Sequence, residues 1–315
     1  MTVSASAPDG VPEITVGDDL ASILLALIEL VDGDIVVVTS KVVSKAEGRV
    51  LPGSRDEHLG AETVRVVARR GATSIVRTRQ GLTLAAAGID NSNVARGWAV
   101  LLPLDPDASA RRLRSAFQQQ AGVTVGVIVT DTAGRAWREG QTDIAIGAAG
   151  VVVAEDFAGR IDAHGNELAV TAPAVADEIA GLAELAQGKL GGRPFAVVRG
   201  RADLVLPAGD DGRGAAALVR PDGFDLFGFG AREAVIRAVA GNPTDLAPFG
   251  SPVTAAELVA ALEQALGPGS RVVSDTEVTV SNAATAAAAI VAFAHGWQIA
   301  SPAEDADLRF TPVTP

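Results

Sequence analysis

Residues 123–130, VTVGVIVT, carry no charge, and every one is β-branched except Gly126. Such a run reads as a strand buried on both faces, the mark of an α/β sheet. It gives way to Asp131-Thr132, and a turn is expected after them, holding Gly134, Arg135 and Arg138. In α/β sheets ligand chemistry collects at the carboxyl ends of such strands. An acid and a hydroxyl there offer the oxygen ligands that a hard cation such as Mg²⁺ uses. Equally, Asp131 can cap the following helix or turn. Arg135 and Arg138 have the charge and position to clamp a substrate carboxylate, or to form surface ion pairs.

A second apolar strand is expected at residues 35–38, ending in Thr39-Ser40-Lys41 with Ser44-Lys45 just beyond. Single lysines are usually solvated surface. Two lysines and two serines between positions 40 and 45, directly after a buried strand, point to a phosphate site. The formal net charge of −12 sharpens the point, because an acidic chain that binds anions has to gather its cations locally or recruit metal ions. The same charge argues against a nucleic-acid partner. Residues 88–93, GIDNSN, hold a run of polar turn-formers and are a loop, hydrophilic or functional.

Elsewhere, helices are expected over residues 21–31 (capped by Asp18 or Asp19), 62–70, 108–118 (capped by Asp107 or Ser109) and 174–186. Strands are expected at 74–77, 147–154 and 195–198, a turn at 162–166, and a flexible cationic loop at 187–193. Pro243, Pro248 and Pro252 mark a junction, so the chain divides into residues 1–242 and a smaller extension, 243–315. In the extension, Thr254 and Glu257 form a capping box for a helix at 254–266. A strand at 277–280 and an Ala-rich helix at 283–295 follow.

Several chemistries are excluded. With no Cys there is no disulfide, zinc thiolate or thiol nucleophile. Gly188-Lys189 lacks a P-loop's first Gly and its Ser/Thr, since Ala183 and Leu190 stand there. Gly212-Arg-Gly214 follows a loop rather than a strand, the three His residues have no ligand spacing, and no nucleophile elbow occurs. The N-terminus has neither basic region nor apolar run, and the longest apolar windows (23–30 and 286–294) are too short for a bilayer. A cytoplasmic, soluble protein with no membrane partner is expected.

Taken in order, VPEITVGDDL, VVVTSKVVSKAEGR, AAAGIDNSNV, LLPLDPDASA, VIVTDTAGRAWREGQTDIAIGAAG, RIDAHGNELAVT, AVADEIAGLAELAQGK and AVVRG resemble the coenzyme F420-0:L-glutamate ligases, or F420 γ-glutamyl ligases. The wording is most similar to the N-terminal ligase domain of the actinobacterial FbiB proteins. The resemblance spans about residues 11–230. It implies an α/β fold of the family's own kind, with mixed sheets in an intertwined homodimer, here with a small C-terminal α/β extension. It implies a GTP-dependent attachment of L-glutamate to F420-0, followed by further γ-linked glutamates, through an acyl phosphate. Two divalent ions (Mg²⁺ or Mn²⁺) and K⁺ would assist. Carried over position by position, the nucleotide contacts fall on Val11, Pro12, Glu13, Ile14, Ser40, Lys45 and Asn93. They continue through the loop Gln187, Gly188, Lys189, Leu190, Gly191, Gly192 and Arg193. The metal ligands fall on Asp90, Asp131 and Thr132, and Asp90, Asp131 and Arg135 become the catalytic candidates. Archaeal relatives place a further metal-side residue where this chain has Lys189. A nucleotide-binding sensor that kept the fold and lost turnover is the alternative.

Overall fold

Alternation inside two apolar runs decides the architecture. Val36 and Val38 face one core with Val127 and Val129, while Ile35, Val37 and Ile128 face another on the opposite side. Successive side chains of a strand point to opposite faces, so both strands have to be covered twice. The computed structural model describes residues 1–221, 223–281, 285–300 and 307–313. It divides into two compact units, Met1–Val219 and Arg220–Pro315.

The first unit runs β1 (Ser4–Ser6), α1 (Leu20–Leu25), β2 (Ile35–Thr39), α2 (Ser40–Ala46), β3 (Val50–Pro52), α3 (Arg55–Glu62), β4 (Thr63–Arg70), β5 (Thr73–Thr78) and β6 (Thr83–Ala85). It continues with β7 (Trp98–Val100), α4 (Pro106–Ala121), β8 (Gly126–Arg135), β9 (Arg138–Ala149), α5 (Val175–Gln187) and β10 (Phe195–Arg199). Five strands form a mixed sheet in the order β1-β10-β2-β8-β9. Only β2 and β8 are parallel, with Val37 opposite Ile128 and Thr39 opposite Thr130. Phe117 and Ala110 of α4 and Leu24 of α1 cover one face, and Val175, Ile179 and Ala183 of α5 cover the other. Smaller antiparallel sheets, β3-β7 and β4-β5-β6, complete the unit.

The structure corrects several expectations. The strand beginning at Gly126 does not stop at Asp131-Thr132. It runs on to Arg135 and returns through the two-residue turn Ala136-Trp137 as β9, with Asp131 opposite Ile144 and Thr132 opposite Asp143. Asp131 is therefore mid-strand and caps nothing. The first helix ends at Leu25 instead of 31, with Asp19 as its cap, accepting from the Ala21 and Ser22 amides. Residues 63–70 are strand rather than helix, because Thr63, Val64, Val66 and Val67 are β-branched and pair with β5. The preceding helix, α3, ends at Glu62.

Helix α4 begins at Pro106 and is capped by Asp105. Asp107 instead accepts from the Ala148 and Ala215 amides, and the Ser109 hydroxyl donates to Glu47. The strand expected at 147–154 ends at Ala149 because Gly150 turns with φ 65°. A Cβ there would run into the Arg114 guanidinium. That buried guanidinium donates to four backbone carbonyls, of Val125, Leu206, Pro207 and Asp210, and to Asp211.

The second unit holds α6 (Ala231–Ala240), α7 (Ala255–Leu266), β11 (Ser270–Ser274), β12 (Glu277–Val280), α8 (Thr285–Ala294), β13 (Trp297–Ile299) and β14 (Leu308–Pro312). Its antiparallel sheet, ordered β11-β12-β14-β13, packs Val278, Trp297 and Phe310 against Leu258, Leu262 and Ala288. The Thr254–Glu257 capping box is formed. The first two residues of the helix expected at 283–295 lie outside the described residues. The sequence junction at 242/243 falls within this unit, just past α6. No described helix is long and apolar enough to cross a membrane.

Candidate active site

Because β2 and β8 are parallel and in register at Thr39 and Thr130, the carboxyl end of β2 lies beside the middle of β8, where Asp131 and Thr132 follow. The chain leaves β2 directly into α2, so Ser40 and Lys41 arrive beside Asp131. The Ser40 hydroxyl donates to Asp131 Oδ1 at 3.1 Å. Antiparallel pairing then sets Asp143 of β9 across from Thr132. Buried Asp143 accepts from the Thr132 hydroxyl at 2.7 Å and from the Thr130 hydroxyl at 3.2 Å. Lys189, in the loop after α5, reaches over this pair. Its Nζ donates to Thr132 Oγ1 at 2.8 Å and to Asp143 Oδ1 at 3.3 Å, and it pairs with Glu184.

On the opposite wall, Asp90 is anchored by a backbone bridge to Val100. Its carboxylate takes Lys41 Nζ at 2.5 Å and both the backbone amide and hydroxyl of Ser92 at 2.7 Å. Burial would raise the Asp90 carboxyl, but the bonds from Lys41 and Ser92 bring it below its ordinary value. Buried Lys45 extends its ammonium to Glu13 Oε1 at 2.5 Å.

These groups border a cleft of about 800 Å³. Of the expected nucleotide contacts, Val11, Pro12, Glu13, Ile14, Ser40, Lys45, Asn93, Gln187, Gly188, Lys189, Leu190, Gly192 and Arg193 all line it. So do Asp90, Asp131 and Thr132. Segments far apart in sequence, at 11–14, 40–45, 90–93, 131–132 and 187–193, thus share one wall system. Gly191 does not reach the lining. Neither does Arg135, which sits at the exposed tip of the β8–β9 hairpin and donates to the Glu139 carbonyl at 3.0 Å. The carboxylate clamp read at Arg135 lies outside the cleft formed by this chain.

Asp131 has the most perturbed surroundings. Protein encloses it on nearly all sides, with only its cleft face open, and this burial pushes its carboxyl up to about 7. The Ser40 hydroxyl and Thr132 amide oppose the rise, and the neighbouring Asp143 and Asp90 charges add to it. Among the described residues Asp131 has no cationic partner. A desolvated carboxylate facing a cleft, with two further carboxylates near, is a donor set that fits a hard divalent cation. No group of three or more acidic or imidazole side chains among the described residues closes a cage by itself. That suits an ion held by one or two carboxylates and completed by substrate phosphates.

Sequence reading missed Asp143, Glu184 and Ser92 as members of this constellation. The one signal for Asp143 was an acid interrupting the apolar run that leads to Ala149. Its meaning needed the strand register. The lining residue Ala86 and its buried neighbour Ala87, both with positive φ (51° and 55°), were invisible too. Non-glycine residues in that region are strained and gather at functional sites.

Comparison with known proteins points one way. A family model described as F420-0:gamma-glutamyl ligase matches residues 10–57 and 57–200. The chain is 41% identical over 220 residues to the coenzyme F420:L-glutamate ligase of Archaeoglobus fulgidus, covering 64% of this chain and 88% of that protein. It is 40% identical over 233 residues to the Methanopyrus kandleri enzyme of the same name, covering 67% and 92% respectively. With the Methanothermobacter thermautotrophicus enzyme, again of that name, identity is 37% over 256 residues, covering 72% and 99%.

Proposed function

The chain belongs to the F420-0:gamma-glutamyl ligase family, and from that premise we propose that the cleft at the end of β2 and the middle of β8 carries its GTP-dependent chemistry. The reaction is the attachment of L-glutamate to coenzyme F420-0 in F420 biosynthesis. The observation that carries the site is the convergence of Asp90, Asp131 and Asp143 with Ser40, Lys41 and Lys45 on one cleft.

Joining a carboxylate to an amine in water needs the carboxylate activated first. The γ-phosphoryl group of GTP passes to the F420-0 carboxylate, giving an acyl phosphate and GDP. The glutamate amine then attacks the acyl carbon, loses a proton and expels phosphate. Phosphoryl transfer asks the protein mainly for positioning and charge neutralisation. Ser40 and Lys45 hold phosphate oxygens, with Lys45 exchanging Glu13 for the nucleotide. Lys41 holds Asp90 in place. Segment 11–14 and the loop 187–193 enclose the nucleotide and exclude water. Buried Gln187 keeps its Nε2 donor without a partner among the described residues, which supports a loop that finishes its contacts on a ligand. A divalent cation held by Asp131 and Asp90, with Thr132 beside them, would neutralise phosphate oxygens, and K⁺ would assist.

Further glutamates would be added by the same cycle, in the cytoplasm. The ligase chemistry would reside within residues 1–242, with 243–315 accessory, a reading supported by a cleft whose lining lies wholly in the first unit. An intertwined homodimer is supported by the β8–β9 ribbon. Beyond Thr130 no third strand among the described residues pairs with either of its two strands, and Trp137 at the tip is 87% exposed. The wording of residues 36–49 and 127–150 supports a place beside the FbiB ligase domains. Mass spectrometry of F420-0 incubated with protein, GTP, glutamate and Mn²⁺ or Mg²⁺ tests the whole reading. Mass gain in glutamate increments is expected, and folded protein that yields none with any divalent ion refutes it.

A further inference from the structure

We propose that the Lys189 ammonium is a resident cation of the active site, holding the place that the second of two divalent ions would otherwise take. This inference rests on the ligase reading above. An ammonium carries three N–H donors and no acceptor. Lys189 meets three acceptors from three separate elements: Thr132 Oγ1 of β8, Asp143 Oδ1 of β9 and a Glu184 carboxylate oxygen of α5. Two carboxylates and a hydroxyl are the oxygen set that a hard cation would use, and here the chain itself fills it.

The two halves of the acidic site therefore differ. The Asp143 half is neutralised from within, while among the described residues Asp131 meets only the Ser40 hydroxyl and a backbone amide. A cation from solution is needed on the Asp131 side alone. A divalent ion could enter among Thr132, Asp143 and Glu184 only by expelling an ammonium that shares all three oxygens, against both repulsion and crowding. Tethering also has a consequence for the nucleotide loop. Lys189 lies within segment 187–193, so the same contact that supplies charge pins that loop over the strand ends. A free ion in this place would supply the charge without the pin.

The test counts ions. Mn²⁺ is titrated into the full-length protein, and free Mn²⁺ is followed by its paramagnetic resonance signal. The wild type should saturate at about one ion per chain, Lys189→Gln at about two, and Lys189→Arg, which restores a cation, at about one. A wild-type plateau at two, a wild type that binds none, or Lys189→Gln remaining at one would overturn the proposal. The wild-type count needs no variant to fold. Repeating the titration with a non-hydrolysable GTP analogue separates the two readings. Mn²⁺ binding indifferent to the analogue would count against the nucleotide site, while the ion count would still decide the role of Lys189.

Discussion

Replacing Asp131 by Asn keeps the shape of the side chain and removes its charge, so it tests electrostatics in isolation. In the fold the carboxyl is raised from its ordinary 3.8 to about 7, first by burial, with Asp143 and Asp90 adding. Each pH unit between the folded and unfolded values is worth about 1.4 kcal/mol, so ionised Asp131 could cost the metal-free fold up to about 4 kcal/mol. Water in the open cleft screens part of this, and about 2 kcal/mol is the expected figure. The sign follows from linkage. Between about pH 4 and 7 the folded chain keeps this proton while the unfolded chain has lost it, so stability declines as pH rises and levels off above 7.

Metal-free Asp131→Asn should lack that decline. Above pH 7 it should melt higher than wild type by roughly 4–8 °C, using about 2–4 °C per kcal/mol for a unit of this size. Added Mn²⁺ should raise the wild-type transition and leave the variant's unchanged. Turnover should fall about a hundredfold or more, the cost of one lost electrostatic contact to a transferring phosphoryl group. Calorimetry from pH 5 to 8.5 with and without Mn²⁺, beside initial rates on the same samples, is the assay. A variant that melts below wild type at pH 8, or that keeps the wild-type rate at low Mn²⁺, would refute the assignment.

Lys45→Ala removes a charge-assisted contact worth about 1.5–3 kcal/mol, so the KM for GTP should rise roughly ten- to a hundredfold in steady-state assays. The melting temperature should hold, since Glu13 is exposed and can hydrate. Arg114→Met strips four backbone carbonyls and Asp211 of their donor. It should destabilise the first unit by about 3 kcal/mol or more, read by denaturant unfolding, with KM values unchanged in the folded protein at low temperature. Truncation after residue 242 should leave ligase turnover intact, because every cleft residue lies before Val219. Collapse of activity in a folded 1–242 protein would place the rest of the chain in the working enzyme.

Local chemistry made the strands legible. The charge-free β-branched runs at 35–38 and 125–129 can be satisfied only by burial on both faces, and both are central in the sheet. Turn and cap signals worked where a single side chain bonds within a few residues, as with Asp19 and the Thr254–Glu257 box. They failed where a distant partner won. Asp107 is drawn away from its helix by the Ala148 and Ala215 amides, and residues 63–70 become strand because β5 lies alongside.

The same division runs through the site. Asp90, Ser40 and Lys45 could be picked out because acids, hydroxyls and cations after a strand or in a turn have few structural reasons to be there, and Asp131 because it directly follows a charge-free apolar run, although it proves to lie mid-strand. Asp143 and Glu184 could not. One sits in the middle of a strand and the other on a helix, and neither position marks a side chain for chemistry. What brings them to Asp131 is the parallel step of β2 against β8, the register that sets Thr132 across from Asp143, and the packing of α5 on the sheet's far face. Sequence determines which groups are present and which runs have to be buried. The tertiary structure decides which charges share one low-dielectric cleft, because that depends on strand order and register, which form only when distant segments pair.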